Sequence, residues 1–260
     1  MDMHKEKMLL LSITPYRGTD LIINLLSPGF GRIAAVVYGG KKIGKESSFP
    51  YHLGDYIEIE FQIQERNEFI KIYSTHAIKL VDIEKLPYDQ FMFHCHLFEI
   101  VKLITHPRNP ESELIELIHF YLSQRWDQQT KYNLMAILFW QLVVRGGYGL
   151  SIDKCSKCHK KTMRLNEKQL MVFKKQLYRL NPENGELVCG DCQPIFPQGG
   201  EITSAMLKAL WLLRRQGLRL IIGPTIPEFI IKALIRVLNQ YLLTCFDINP
   251  KSQSMFLSSL

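Results

Sequence analysis

Apolar and polar residues alternate in the first third of the chain. Between Asp55 and Gln64, isoleucine or phenylalanine occupies every second position and glutamate or glutamine the positions between them. A period of two predicts a β-strand with one buried and one solvated face. Four further β-rich runs are bounded by proline, glycine or charged turns, at 8–12, 21–26, 32–38 and 69–73. Five short strands predict a small closed barrel of the OB type, and an open sheet is the alternative.

From residue 88 onward the apolar residues follow a helical spacing. Asn109-Pro110 is typical of a helix start, and helices are predicted over 111–126 and 131–145. Thr203 is predicted to cap a helix over 204–215, and Thr225 opens a capping box before the last long helix. The predicted buried stripe of that last helix contains Ile230, Leu234, Val237, Leu238, Tyr241 and Cys245.

These patterns together predict an α+β protein built from several parts. A barrel domain over 1–83 is followed by a helical domain in two parts, 84–150 and 201–248. A loop-rich module over 151–200 interrupts the helical domain, and residues 249–260 form a tail. The expected architecture is therefore an N-terminal OB-fold, then an all-helical domain with an inserted module.

The composition of the 260 residues is that of an ordinary globular chain, with 47% hydrophobic and 22% charged residues. The longest stretch without a formal charge, 132–144, has 13 residues, too few to cross a bilayer as a helix. The apolar run over 8–13 is also too short for a secretory signal. We therefore expect a cytoplasmic protein without a membrane partner.

The net charge of +7 is concentrated in the last 110 residues. Residues 1–80 carry +1 and 81–150 carry −2, whereas 151–200 and 201–260 carry +4 each. Such an excess favours polyanionic partners, although a solvated basic surface has the same composition.

Four of the six cysteines form two CxxC pairs, Cys155 with Cys158 and Cys189 with Cys192, separated by 30 residues. Two such pairs are typical of a tetrahedral zinc site, and four protein ligands leave no open position for catalysis. We predict one structural zinc ion. Two disulfides, an iron cluster or a redox pair are the alternatives. His159 completes a CxxCH string typical of haem attachment, a function that requires export.

Two lysine-rich stretches are candidate phosphate contacts. Lys157, Lys160 and Lys161 surround the first cysteine pair. The stretch from Gly39 to Lys45 contains Lys41, Lys42 and Lys45 and is close to a nucleotide-binding loop. Glu46 stands where that loop needs serine or threonine for magnesium, so nucleotide hydrolysis is not expected. We predict no catalytic residues and no small-molecule substrate.

Six short strings follow one another through most of the chain: 14–21, 31–33, 38–41, 147–149 with the first cysteine pair, Gly185 with the second pair, and 250–252. In their order and spacing they resemble the RecO family of bacterial DNA repair and recombination mediators. Tyr38, Gly40-Lys41 and Gln253 depart from the family pattern.

This resemblance implies an OB-fold, a helical domain, a zinc finger and no catalytic centre. It also implies binding to single- and double-stranded DNA, annealing of complementary strands, and work with RecR to load RecA on strands coated by single-stranded DNA-binding protein. Arg32, Lys41, Lys42, Lys45 and the three finger lysines are the expected DNA contacts. A zinc-ribbon transcription or translation accessory factor is the alternative.

The resemblance further implies docking of the acidic C-terminal tail of single-stranded DNA-binding protein. Such a tail, with its terminal phenylalanine, requires an apolar slot with a cationic rim. The expected rim residues are Arg125, Lys131 and Arg145, and Arg214, Arg215 and Arg219 are the competing set.

Overall fold

The computed structural model divides the chain into two compact units. Unit 1 contains Met1–Gln124 and Pro250–Leu260, and unit 2 contains Arg125–Asn249. The structure describes residues 2–41, 52–63, 69–82, 85–124, 127, 130–165, 171–173, 177–181, 183–192, 200–216 and 226–260.

The described elements follow one another in a β-rich first part, a helical part and a mixed last part. The strands are β1 Met3–Tyr16, β2 Asp20–Ser27, β3 Gly31–Val37, β4 Tyr56–Gln62, β5 Phe69–Lys79, β6 Met163–Leu165, β7 Met171–Phe173, β8 Tyr178–Leu180, β9 Leu187–Cys189 and β10 Glu201–Ile202. The helices are α1 Tyr88–Ile104, α2 Ser112–Ser123, α3 Lys131–Arg145, α4 Ser204–Gln216, α5 Glu228–Cys245 and α6 Gln253–Ser259.

The first five strands form a closed barrel in the order β1-β2-β3-β5-β4. Neighbouring strands are antiparallel except β3 and β5, which are parallel. This confirms the predicted five-stranded barrel of the OB type and excludes the open sheet. β1 is longer than predicted and continues through Pro15, because pairing with β2 extends to Tyr16 opposite Asp20.

The alternation along β4 is realised as an inside and an outside of the barrel. Ile57, Ile59 and Phe61 are fully buried in its core. On the outer face, the Lys5 ammonium of β1 lies 3.1 Å from Glu58 and 3.4 Å from Glu60. The period of two therefore correctly predicts a strand with one face in the barrel core and one face in solvent.

A buried carboxylate fixes the start of β4. Asp55 has no exposed surface, and its two oxygens accept hydrogen bonds from the backbone N–H groups of His52, at 2.7 Å, and Val81, at 2.8 Å. Burial raises the pKa of Asp55, while the two N–H donors oppose that rise. The side chain thus joins the entry to β4 with the segment that follows β5.

The C-terminal segment of unit 1 is fastened to helix α1. The Glu99 carboxylate accepts the backbone N–H groups of Lys251 and Ser252, each at 2.9 Å. The Ser252 hydroxyl lies 2.9 Å from Nδ1 of the buried His96, whose ring stacks on Phe256 of α6 with centroids 4.6 Å apart. Residues 249–260, which sequence analysis treats as a tail, thus end in a helix packed on α1.

The helix after Asn109 begins later than predicted. Its first helical residue is Ser112, and Asn109 donates from its side-chain amide to the Glu111 carboxylate at 2.9 Å instead of capping the helix. The predicted cap at Asn109 is therefore wrong. An asparagine side chain can satisfy a local partner instead of a helix terminus, and the sequence string does not distinguish the two.

In unit 2, α5 buries the expected stripe only in part. Leu234, Leu238 and Tyr241 are buried, whereas the other three stripe residues are half-buried. The Thr203 hydroxyl accepts the Met206 backbone N–H at 3.2 Å, as predicted for a cap of α4. Thr225 lies outside the described residues. Within the described part of the chain, no helix combines the length and the apolar character needed to cross a membrane.

We expect Gly31→Ala to destabilise the protein far more than Gly18→Ala. Both glycines have left-handed φ values, 67° and 62°. A Cβ at Gly31 would lie 2.5 Å from the His106 carbonyl oxygen, whereas a Cβ at Gly18 would meet no atom within 4 Å. Backbone strain alone costs about 1–2 kcal/mol, and forced overlap adds about 1–3 kcal/mol. Urea unfolding of both variants measures the difference, and equal losses would contradict this prediction.

Candidate metal centre and basic surfaces

Short strands and turns place the four paired cysteines. β8 lies between β9 and β10 in a three-stranded sheet, so residues 201–202 extend the module slightly beyond its expected end. β9 ends at Cys189, and a 3₁₀ turn over Gly190–Cys192 follows. The first pair lies on a turn closed by two backbone hydrogen bonds, from Cys155 to the Lys160 carbonyl and from His159 to the Cys155 carbonyl, each 3.0 Å.

The four sulfur atoms lie within 4.8 Å of one another. The Sγ atoms of Cys158 and Cys189 are 3.7 Å apart. A tetrahedron with metal–sulfur bonds of about 2.3 Å has edges of about 3.8 Å, so this spacing fits a shared cation. All six cysteines are free thiols, so the structure does not contain the disulfides of the alternative reading. Cys155, Cys158, Cys189 and Cys192 therefore form a site that can hold a metal ion.

The thiols of the cluster differ in pKa, because their immediate surroundings differ. Burial raises the pKa of Cys155, but the backbone N–H groups of Cys158, Cys189 and Lys157 outweigh it and bring the pKa to about 6. Contacts with the sulfurs of Cys158 and Cys189 raise the pKa of Cys192 to about 12. The proton of Cys192 is hard to remove because the sulfurs of Cys158 and Cys189 lie beside it. A bound cation removes that penalty, since it stabilises all four thiolates together.

A bidentate ion pair joins the cysteine module to helix α4. The Arg214 guanidinium donates to both carboxylate oxygens of Asp153, at 2.7 and 2.9 Å. The pair lowers the pKa of Asp153 through the hydrogen bonds from Arg214. Asp153 lies two residues before Cys155, so the ion pair restrains the backbone that leads into the first cysteine pair. Arg214, one of the competing rim residues, thus has an ion-pair partner inside unit 2.

The lysines of the first knuckle share one exposed region. Lys157, Lys160 and Lys161 are all exposed, within six residues of Cys155. Lys160 lies 3.8 Å from the Asp191 carboxylate of the second knuckle, and both side chains are more than half exposed. His159 is exposed at a left-handed φ of 58°. The structure therefore leaves the three predicted finger contacts exposed beside the first cysteine pair.

The predicted barrel contacts are not brought together. Arg32 is half-buried near the start of β3, and Lys41 is exposed beyond the other end of that strand. At about 3.3 Å per residue, some 20 Å of strand separates the two ends. The Lys41 ammonium donates to the Gly18 carbonyl at 2.9 Å. Lys42 and Lys45 lie outside the described residues.

The predicted rim residues of the peptide slot are also separated. Lys131 is the first and Arg145 the last residue of α3, so a rise of 1.5 Å per residue puts them about 21 Å apart. Arg125 and the competing Arg219 lie outside the described residues. The Arg215 guanidinium lies 5.1 Å from the Trp211 ring centre.

Sequence reasoning missed a second lysine near Lys131. The ammonium groups of Lys131 and Lys232 lie 4.8 and 4.6 Å from the centre of the Tyr132 ring. Lys232 also pairs with Glu228 at 2.7 Å. About a hundred residues separate the two lysines along the chain, so no local sequence pattern predicts that both lie near the same ring. Together they place two cations around one aromatic ring.

A closed barrel of the OB type, a helical part and a four-cysteine cluster with exposed lysines are features found in nucleic-acid-binding proteins. Two family models cover nearly the whole chain: "Recombination protein O N terminal" matches residues 1–81 and "Recombination protein O C terminal" matches residues 88–254. The chain belongs to the RecO family and has a role in DNA repair and recombination.

Curated relatives agree with this assignment. The chain is 24% identical to the DNA repair protein RecO of Syntrophus aciditrophicus, over 81% of this chain and 78% of the relative. It is 21% identical to the DNA repair protein RecO of Bartonella tribocorum, over 71% and 68% respectively.

The cluster is expected to hold a metal ion, and Cys189→Ser is expected to lose it. The substitution removes one of four soft ligands, and the remaining thiols keep their mutual repulsion. Cys245→Ser is the matched control, because Cys245 is half-buried and lies outside the cluster. Elemental analysis of protein purified without chelator should give one metal ion per chain for the parent and the control. A metal-free parent would contradict the prediction.

Proposed function

We propose that this protein is a recombination mediator without catalytic activity. It binds single- and double-stranded DNA, anneals complementary strands and, with RecR, helps load RecA on strands coated by single-stranded DNA-binding protein. The observation that carries the proposal is membership of the RecO family along both parts of the chain, together with a barrel of a type that binds oligonucleotides.

The metal in the cluster is proposed to be zinc. Four thiolates suit zinc better than magnesium or calcium, and a closed set of four protein ligands gives the ion a structural role. Zinc with four thiolates carries a net charge of −2. The three finger lysines, Lys157, Lys160 and Lys161, exceed that charge by one, and the Asp191 carboxylate beside Lys160 brings the sum to zero. The proposed phosphate contacts therefore rest on the exposed lysine side chains and not on a net positive charge of the cluster.

DNA binding is proposed to rest on two surfaces, the finger lysines and the basic end of the barrel at Lys41. Contacts to phosphate carry no sequence information, so they suit a protein that anneals strands of any sequence. Each contact releases condensed counterions, which makes the affinity fall steeply with salt.

We expect the triple variant Lys157→Ala, Lys160→Ala, Lys161→Ala to bind all DNA sequences more weakly. The log–log dependence of affinity on salt should flatten by roughly one unit for each lost phosphate contact. Fluorescence anisotropy at several salt concentrations measures the slope. Lys5→Ala is the control, because that lysine already faces Glu58 and Glu60 on the barrel wall. An unchanged slope in the triple variant would show that the finger does not hold DNA.

The acidic tail of single-stranded DNA-binding protein is proposed to dock beside Tyr132. Of the expected rim residues, Lys131 is supported by Lys232, whose ammonium lies near the same ring, whereas Arg145 lies at the far end of α3. Phe229 is 75% exposed and precedes Lys232 by three residues on α5, so it faces the same side of that helix. Tyr132 itself is buried, so the exposed aromatic surface beside Lys232 is that of Phe229. Two cations and an exposed phenylalanine suit an acidic peptide ending in phenylalanine.

We expect Lys131→Glu and Lys232→Glu to weaken binding of a fluorescent tail peptide, while Arg145→Glu leaves it unchanged. The loss should shrink as salt rises, because the Debye length falls from about 30 Å at 0.01 M to about 8 Å at 0.15 M. Peptide titrations at both salt concentrations provide the test. Loss of binding in the Arg145 variant alone would place the slot at the other end of α3.

A further inference from the structure

Tyr38, directly after β3, has a side chain that the fold holds in solvent. It is 81% exposed, the largest value among the exposed large hydrophobic residues that the structure describes. Its backbone surroundings are nevertheless fixed. The next residue, Gly39, donates its N–H to the Asp20 carboxylate at 2.8 Å, and Lys41 donates its N–H to the Thr19 carbonyl at 2.9 Å. The ring is thus presented by an anchored turn and contributes little to the barrel core.

A second tyrosine lies on the same outer face. Leu21 of β2 pairs with Val37 of β3, and both point inward. Successive side chains of a strand point to opposite faces, so Asp20, directly before Leu21, and Tyr38, directly after Val37, share the outer face. Asp20 in turn pairs with Tyr16 of β1. One strand separates the two tyrosines, which places them about 10 Å apart at about 4.8 Å per strand.

Two cations accompany these rings. The Arg17 guanidinium lies 5.2 Å from the centre of the Tyr16 ring. The Lys41 ammonium is held at the β1–β2 turn by the Gly18 carbonyl. Asp20, a carboxylate at this end of the barrel, already accepts the Gly39 N–H group through Oδ1. Aromatic faces and cations therefore occur together among the described residues of this surface.

We propose that this end of the barrel is a stacking subsite for unpaired nucleotides. Tyr38 stacks on a nucleobase, Tyr16 offers a second aromatic face, and Arg17 and Lys41 contact the flanking phosphates. Stacking tolerates any base, because every base has a flat π face. A base inside a duplex has both faces covered by its neighbours, so this subsite selects single strands. The inference rests on the proposed DNA-binding function and adds the residues that distinguish single from double strands.

The test compares Tyr38→Ala and Tyr38→Phe with the parent on a single-stranded oligonucleotide and on a duplex of the same length. Tyr38→Ala should weaken single-strand binding about 5- to 100-fold, the range for loss of one stacked base, and change duplex binding much less. Tyr38→Phe retains the ring and should bind like the parent. Tyr88→Ala is the control: Tyr88 is 64% exposed at the start of α1, outside the barrel.

A 2-aminopurine base within the oligonucleotide gives a second readout. Stacking on Tyr38 should change its fluorescence in the parent and in Tyr38→Phe, and the change should be absent in Tyr38→Ala. If the parent binds single strands while Tyr38→Ala matches it in affinity and in fluorescence, the subsite is refuted and the proposed function stands. If the parent binds no DNA, the proposed function fails first.

Discussion

The pairing of β1 with β4 closes the barrel, and the rest of unit 1 depends on it. It runs from Met3 opposite Gln62 to Leu9 opposite Tyr56. An open edge would leave a row of unpaired backbone groups, and closure removes that edge. It also encloses one apolar core whose members all lie on inward positions. The outer wall and the turns at its ends are therefore held in place, which lets exposed side chains such as Tyr38 occupy fixed positions.

Unit 2 stabilises its cysteine module by different means. Its strands have two or three residues each, and isolated hairpins of this size are marginally stable in water. Sulfur–metal bonds are then expected to supply much of the free energy that a larger apolar core supplies elsewhere. The ion pair between Asp153 and Arg214 connects the cysteine module to helix α4.

Much of the fold was predictable, because it follows from patterns that are local in the chain. The period of two along β4 indicates a half-buried strand, and the two CxxC spacings indicate a four-cysteine cluster. Features that depend on distant residues were not predictable. Asn109 has two possible local partners, and Lys232 meets Tyr132 only through the packing of α3 and α5. The separation of Lys131 and Arg145, in contrast, already followed from the predicted helix over 131–145, which places them at its opposite ends.

The order of synthesis imposes a delay on unit 1, because residues 125–249 are made between its two parts. At about 5–20 residues per second, these 125 residues take roughly 6–25 s. During that interval helix α1 lacks the contacts of His96 with Ser252 and Phe256. The packing of α1 is therefore completed only after unit 2 has been synthesised.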